Sequence, residues 1–439
     1  MTNPSAGNTS ATALLLKNGR IIDPKNGRDE TGDLLVEHGK IAGFFPSGQA
    51  PKSDGMKSFD LTGKWILPGL IDMHVHLREP GEEYKETIMS GTRAAAAGGF
   101  TAVACMPNTN PVNDNQAITS LILDKAEKGY ARVYPIGCIS KGGKGKMLAE
   151  FGEMKEAGVV ALSDDGRPVA NSQLMRRALE YAGNYNLLVI CHSEELALSE
   201  NGAMNEGALS TKLGLRGIPR SAEEIMVYRD LSLAEYTGKP IHIAHVSTRE
   251  SVSLIRRAKE KGSPVTAESA PHYFSLTEKA IDSYNTLAKM NPPLRTTDDL
   301  LAIREGLQDG ALDVIATDHA PHSMLEKDVE FDRAANGIIG LETAVPLAME
   351  LVRDNVLDVA RMVELLSVNP AKILGVAGGS LSKGAAADIT VIDPEREFIY
   401  SADMVVSKSG NSPFLDRKFK GKAVLTILGG RITFSELDS

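Results

Sequence analysis

The chain has 439 residues, 42% of them hydrophobic and 24% charged, with 48 basic against 57 acidic side chains and a formal net charge of −9. That is a globular composition, and at ~150 residues per domain it allows two or three domains, although a single barrel can occupy ~250. The acidic balance, with no basic stripe, argues against a nucleic-acid or anionic-membrane partner.

Residues 1–11 lack a basic n-region and an apolar h-region, so they read as a short disordered tail rather than a signal peptide. No run approaches the ~20 apolar residues of a membrane span, which predicts a soluble, cytoplasmic protein. Residues 12–65 are short strand-like pieces (ALLLKNGRIID, GDLLVEHGKIAGFF, KSFDLTGKWI), in which Asn18-Gly19 and His38-Gly39-Lys40 suit hairpin turns. Residues 66–376 repeat strand, loop and helix. Eight apolar strand candidates (ILPGLIDMHV, FTAVACM, RVYPIGC, VVALSD, LLVICHS, IHIAHVS, PVTAES, LDVIATD) alternate with helical patterns such as SQLMRRALEYAG and SVSLIRRAKEKG. Such alternation predicts an α/β fold with a parallel sheet covered by helices, and eight units predict a (β/α)8 TIM-like barrel. Residues 377–439 return to strand patterns, so both termini are expected to build one small β domain. Cys105, Cys138 and Cys191 sit in apolar runs at spacings that fit no metal knuckle or redox pair, and read as buried small hydrophobes.

Four of the nine histidines fall at ends of these strands: His74 and His76 in DMHVHLRE, His192 in VICHSEE and His245 in HIAHVS. Asp318 ends the eighth strand in VIATDHAPH, and Asp164 and Asp165 end the fourth in LSDDG. In a barrel these ends form the active-site face. His74 and His76, two residues apart, project from one face of their strand. Imidazoles with carboxylates suit Zn²⁺ or a similar borderline divalent ion. A single strand-end histidine is more often structural, but this set spans five of eight strands and points to a metal site.

Four of the remaining histidines read as structural. His242, three before His245, and His319, beside Asp318, are expected to face the helices. His272 ends the seventh strand at a rim or supporting position, and His38 is expected to be exposed in the terminal β region. Met147, Met154 and Met175 lie in helical patterns and read as core packing.

The motifs GLIDMHVHLREPG, TAVACMPNTNP, ALSDDG, CHSE, AHVST, MNPPLR and IATDHAPH, in this order, resemble the dihydroorotases of the amidohydrolase superfamily, in the bacterial branch of longer chains. The resemblance runs from about residue 12 to 437. It implies a distorted TIM barrel with a β-sandwich formed by both termini. It also implies zinc, one or two ions per chain. His74, His76 and Asp318 would hold the more buried ion, and His192 and His245 the more exposed one. Many relatives bridge the two with a carbamylated lysine on the fourth strand. The longer bacterial chains place an aspartate there, and spacing favours Asp165 without excluding Asp164.

The same resemblance assigns the substrate carboxylate to Arg78, Asn108 and His322, and the dihydropyrimidine ring to Asn291 and to backbone groups of Asn336 and Gly337. An arginine fork suits a carboxylate. The implied reaction is reversible hydrolysis of dihydroorotate to N-carbamoyl-aspartate, run towards ring closure in pyrimidine biosynthesis, with Asp318 carrying the proton. The alternatives are a hydantoinase or allantoinase, or a non-catalytic scaffold subunit of aspartate transcarbamoylase. The first usually carries the lysine missing here, and the second has lost ligands that are all present here. A homo-oligomer and a complex with aspartate transcarbamoylase are both compatible with the resemblance. Finally, the charged segment 322–339 is long for a loop after a barrel strand, and is expected to be a mobile lid hinged at Asn336-Gly337.

Overall fold

The structure is a computed structural model that describes residues 13–51, 56–437. The expected N-terminal tail lies outside the described residues. Eight parallel strands form the central sheet: β1 (Leu70–Val75), β2 (Phe100–Cys105), β3 (Arg132–Gly137), β4 (Ala161–Ser163), β5 (Leu188–Cys191), β6 (Ile241–Ile243), β7 (Val265–Ser269) and β8 (Val314–Ile315). They pair in sequence order, and the last closes on the first through a bridge between Val75 and His319, with the His76 N–H donating to the His319 carbonyl at 2.8 Å. Each of the eight strand candidates read from the sequence thus contributes a strand to one nearly closed barrel, although Ile66–Pro68, read as the start of the first, belongs to the sheet built by the termini.

Alternation along the strands sorts their side chains into two buried layers. Ala104, Ile136, Ala161, Ile190 and Val314 form one cluster. Val103, Leu162, Val189 and Ile241 belong instead to the cluster that includes Met175 and Leu179 of helix Ser172–Gly183 and Ile255 of helix Arg249–Glu260. These helices start on side-chain caps: Asn171 accepts from the Gln173 and Leu174 N–H groups, and Thr248 accepts from that of Ser251.

Strands from both ends of the chain make a second, eight-stranded sheet. Its halves join where Trp65–Pro68 runs antiparallel to Ile389–Ile399 and parallel to Ala13–Asp23. Leu14, Leu16, Leu34, Val36, Ile389, Val391, Leu425 and Ile427 alternate along their strands and meet in one core. His38 and Gly39 form the expected hairpin turn, both at positive φ, and His38 is exposed. Asn18-Gly19 does not turn the chain. It lies inside the single strand Ala13–Asp23 as a bulge, where Asn18, at φ 60°, donates its N–H to Asp33 Oδ1 at 2.9 Å. An Asn-Gly pair favours positive φ, which serves a bulge as well as a hairpin. Of the three methionines read as core, Met154 and Met175 are buried, but Met147 is exposed on a loop rather than a helix. The three cysteines are free and buried, and burial pushes the Cys105 thiol up to about 12.

Candidate metal centre and substrate cavity

The strand-end residues converge. His74 lies in β1 and His76 just past it; Asp165, His192, His245 and Asp318 follow β4, β5, β6 and β8. His74 Nε2 is 3.4 Å from Asp165 Oδ1, and His76 Nε2 is 3.5 Å from Asp165 Oδ2. From the other side, His192 Nδ1 and His245 Nε2 lie 3.5 and 3.7 Å from Asp165 Oδ1 and 2.8 Å from each other. Asp318 Oδ1 sits 3.1 Å from His76 Nε2 and 3.5 Å from His74 Nε2. Two groups able to hold an ion, His74-His76-Asp165 and Asp165-His192-His245, therefore share one carboxylate. Asp164 turns away, and its carboxylate accepts from the N–H groups of Ile139 and Ser140 and from the Ser140 hydroxyl. Asp165 is thus the aspartate of the pair that faces both groups.

The donor set fits a divalent ion. His74 Nε2 and Asp165 Oδ1 are buried without a hydrogen-bond partner. Such orphaned polar atoms are costly unless something completes them, and imidazole with carboxylate is the set that borderline ions prefer. Burial alone would raise the Asp165 carboxyl, but His74, His192 and His245 outweigh it and hold it well below the usual range. The Asp165 carboxylate is therefore ionised.

Two carboxylates that the sequence reading missed aim these rings. Glu268 on β7 sits with Oε1 2.6 Å from His74 Nδ1. Its other oxygen is 3.3 Å from His242 Nε2, whose Nδ1 is 2.8 Å from the Thr266 hydroxyl. His242 thus does not face the helices as expected, but joins the support of His74. Burial would raise Glu268, yet His74 and His242 hold it down to about 2. Glu194, two residues past His192, lies 3.1 Å from His192 Nε2 and accepts from Asn291 Nδ2 at 3.2 Å. The one charged residue in the strand PVTAES, and the acidic run after CHS, were the available signals. Such hydrogen bonds fix the tautomer and direction of a metal-binding imidazole. His319 turns away from the cavity, accepting from the Gly340 N–H on Nδ1, and burial pushes His272 down to about 4.

A cavity of 250 Å³ opens on this centre. Its wall includes His76, Arg78, Asn108, Asp165, His192, His245, Asn291, Asp318, His322, Asn336 and Gly337. Arg78 is nearly buried; its Nε donates to the Pro321 carbonyl at 3.1 Å and its Nη2 to His322 Nε2 at 3.2 Å. Arg78, His245 and Asp318 have φ of 60°, 34° and 49°. Side chains other than glycine rarely adopt that region, and such strain gathers at functional sites.

Two of the expected substrate contacts are differently engaged. Asn108 Oδ1 is 2.9 Å from His76 Nδ1, and its Nδ2 donates to Asp165 Oδ2 at 3.3 Å, so its side chain braces the ligand cluster rather than Arg78. Gly337 lines the cavity, but its N–H donates to the Lys289 carbonyl and its carbonyl accepts from Asn411 Nδ2 and Lys327 Nζ. Its backbone groups are therefore not free for a ring. The segment 322–339 is not a free flap either. It contains the short helix Met324–Lys327, and the wholly buried Lys327 ammonium donates to the carbonyls of Lys289, Ala335 and Gly337 at 3.2, 2.7 and 3.1 Å. Long charged loops look mobile in sequence, but one buried cation pins this one.

Residues 63–251 match the family model described as "Dihydro-orotase-like". The dihydroorotase of Desulfotalea psychrophila is 59% identical over 421 residues, covering 96% of this chain and 99% of the relative. That of Geobacter metallireducens is 56% identical over 422 residues, with the same shares covered. The chain belongs to the dihydroorotase family. Among solved structures, the L-hydantoinase of Arthrobacter aurescens superposes with a TM-score of 0.86 at 23% identity, covering 97% of this chain and 96% of that one. The dihydropyrimidinase of Brevibacillus agri gives 0.83 at 22%, covering 96% and 95%. At such identity these two share the fold alone, a barrel with a strand-rich terminal domain. Membership of the dihydroorotase family, rather than that shared barrel, sets the chemistry apart from a hydantoinase.

Proposed function

We propose that the chain catalyses the reversible, metal-dependent cyclisation of N-carbamoyl-L-aspartate to dihydroorotate in pyrimidine synthesis, with the catalytic cluster and the carboxylate reader on two sides of one cavity. The observation that carries this is the Arg78–His322 pair in the wall of the same cavity as the shared Asp165 cluster. A cyclic amide bearing a carboxylate needs both; a hydantoin needs only the cluster.

His74, His76, Asp165 and Asp318 would hold one divalent ion and Asp165, His192 and His245 a second, with zinc the ion the donor set suits best. When bound, such an ion polarises a carbonyl and acidifies water. Arg78 binds the exocyclic carboxylate through its planar fork, helped by His322, and so presents the scissile amide to the cluster. Asn291, held by Glu194, faces the ring. In the hydrolytic direction the water oxygen bonds to the ring carbonyl carbon and the C–N bond breaks. Asp318 takes the water proton and delivers it to the departing nitrogen. In synthesis the same carboxylate removes that nitrogen's proton as it attacks. Asp318 is suited to the transfer because its oxygen is already seated against His76, and position precedes pKa in such a step. Asn108 and Asn336 complete the wall, Asn108 by holding His76 and Asp165 in register. The three free cysteines go with a reducing cytoplasm.

The test is turnover of dihydroorotate against hydantoin and allantoin by the zinc-loaded chain. The expected result is strong preference for dihydroorotate, abolished by chelation and by Asp318→Asn. Equal turnover of a carboxylate-free hydantoin would overturn the assignment of Arg78 and His322.

A further inference from the structure

Asn411 lies between the two long C-terminal strands, Ile389–Ile399 and Lys418–Leu428, in the stretch KSGNSPF. It is wholly buried, and its side chain reaches the barrel mouth. Oδ1 accepts from the backbone N–H of His322 at 3.0 Å, and Nδ2 donates to the carbonyls of Ala320 and Gly337 at 3.0 and 3.1 Å. Its own carbonyl accepts from the Ile339 N–H at 3.0 Å. The four partners sit on two stretches, 320–322 and 337–339, and Ala320, His322 and Gly337 line the substrate cavity. The first stretch also holds Arg78, through the Pro321 carbonyl and the His322 ring.

A planar amide offers two donors and one acceptor within a short side chain, and all three are used here. An aspartate would set an oxygen against two carbonyls, and an apolar residue would leave buried backbone groups unpaired. The base from which Asn411 reaches is itself anchored. Glu342 accepts from the N–H groups of Val406 and Ser407, each at 3.0 Å, and Glu86 accepts from the Ser407 hydroxyl and the Lys408 N–H.

We propose that Asn411 is a positioning residue for substrate recognition, which rests on the reading of Arg78 and His322 as the carboxylate reader. It sets the register between the stretches 320–322 and 337–339, so that Arg78 and His322 meet the carboxylate together. A loop of the strand-rich terminal domain thereby fixes the specificity side of a barrel cavity.

The test compares the full, metal-loaded chain with Asn411→Ala, His322→Ala and the double variant, using dihydroorotate. Asn411→Ala is expected to keep the wild-type metal content, to raise KM at least ~10-fold and to change kcat less than ~3-fold; on the His322→Ala background the same change should raise KM by less than a further ~3-fold. A merely structural role would lower kcat and metal content together and act equally in both backgrounds, and either result overturns the proposal. Should His322→Ala leave KM unchanged, the carboxylate reading fails and the proposal with it. Should His322→Ala raise KM while Asn411→Ala does not, the proposal alone fails. If Asn411→Ala does not accumulate as folded protein, the comparison passes to Asn411→Ser, which keeps a hydroxyl acceptor for the His322 N–H. A raised KM with intact metal supports the proposal there, and a wild-type KM overturns it.

Discussion

Glu268 Oε1 lies 2.6 Å from His74 Nδ1, deep in the barrel and 194 residues away in sequence. The bond fixes which nitrogen of His74 carries the proton and leaves Nε2 facing Asp165. Supporting carboxylates of this kind typically change metal affinity by 10- to 100-fold. Glu268→Gln is therefore expected to weaken metal binding by about that factor, read by competition with a chelator. Unchanged affinity would mean that packing alone orients His74.

Arg78→Lys keeps the charge but loses the planar fork and the bond to the Pro321 carbonyl. Loss of one charge-assisted pair corresponds to about 1.5–3 kcal/mol, or ~10- to 150-fold in kcat/KM for dihydroorotate. The effect should fall on KM, with metal content unchanged.

Removing Lys327 leaves the Ala335 carbonyl without its donor, whereas the carbonyls of Lys289 and Gly337 keep the Gly337 N–H and Asn411 Nδ2. Lys327→Met is expected to cost about 1–3 kcal/mol in denaturant unfolding, the usual cost of one unpaired buried group. Wild-type protein should resist protease between Leu325 and Arg333 even without substrate, whereas the variant should be nicked there. Rapid nicking of the wild type that substrate suppresses would restore the mobile lid.

Glu342 carries a pH dependence. Burial, reinforced by Glu86, raises its carboxyl from the ordinary 4.5 to about 7, although the Ser407 and Val406 N–H groups oppose the shift. The folded state thus binds the proton more tightly than the unfolded chain. Between pH 4.5 and 7 the folded form holds more protons, so stability contributed through this group falls as pH rises, by up to about 3 kcal/mol. Glu342→Gln abolishes that slope. The variant should be less stable than wild type near pH 4.5, because it loses an acceptor, and should gain relative to wild type up to pH 7. A stability difference independent of pH would place the Glu342 carboxyl in the ordinary range.

Local pattern and tertiary structure divide this protein at a clear physical line. Strand alternation, helix caps and the placing of His74, His76, Asp165, His192, His245 and Asp318 at strand ends follow from short-range periodicity. A barrel must bring all such ends to one mouth, so the convergence of these imidazoles and carboxylates was legible in the sequence. The choice between Asp164 and Asp165 was not, because neighbouring residues differ only in the direction their side chains take. Asn18-Gly19 could serve a hairpin or a bulge, and the pairing of Arg28–Glu37 along the whole of Ala13–Asp23 decided for the bulge. The residues that aim the site left only faint signals in the sequence. Glu268 meets His74, Asn411 meets His322 and Lys327 meets the Lys289 carbonyl across folds of the chain, and a buried polar side chain takes its meaning from the groups that surround it. Sequence periodicity determines which residues reach the mouth of the barrel; only tertiary packing decides what stands behind them, because hydrogen bonds in a closed interior are satisfied by whatever the fold brings within 3 Å or so.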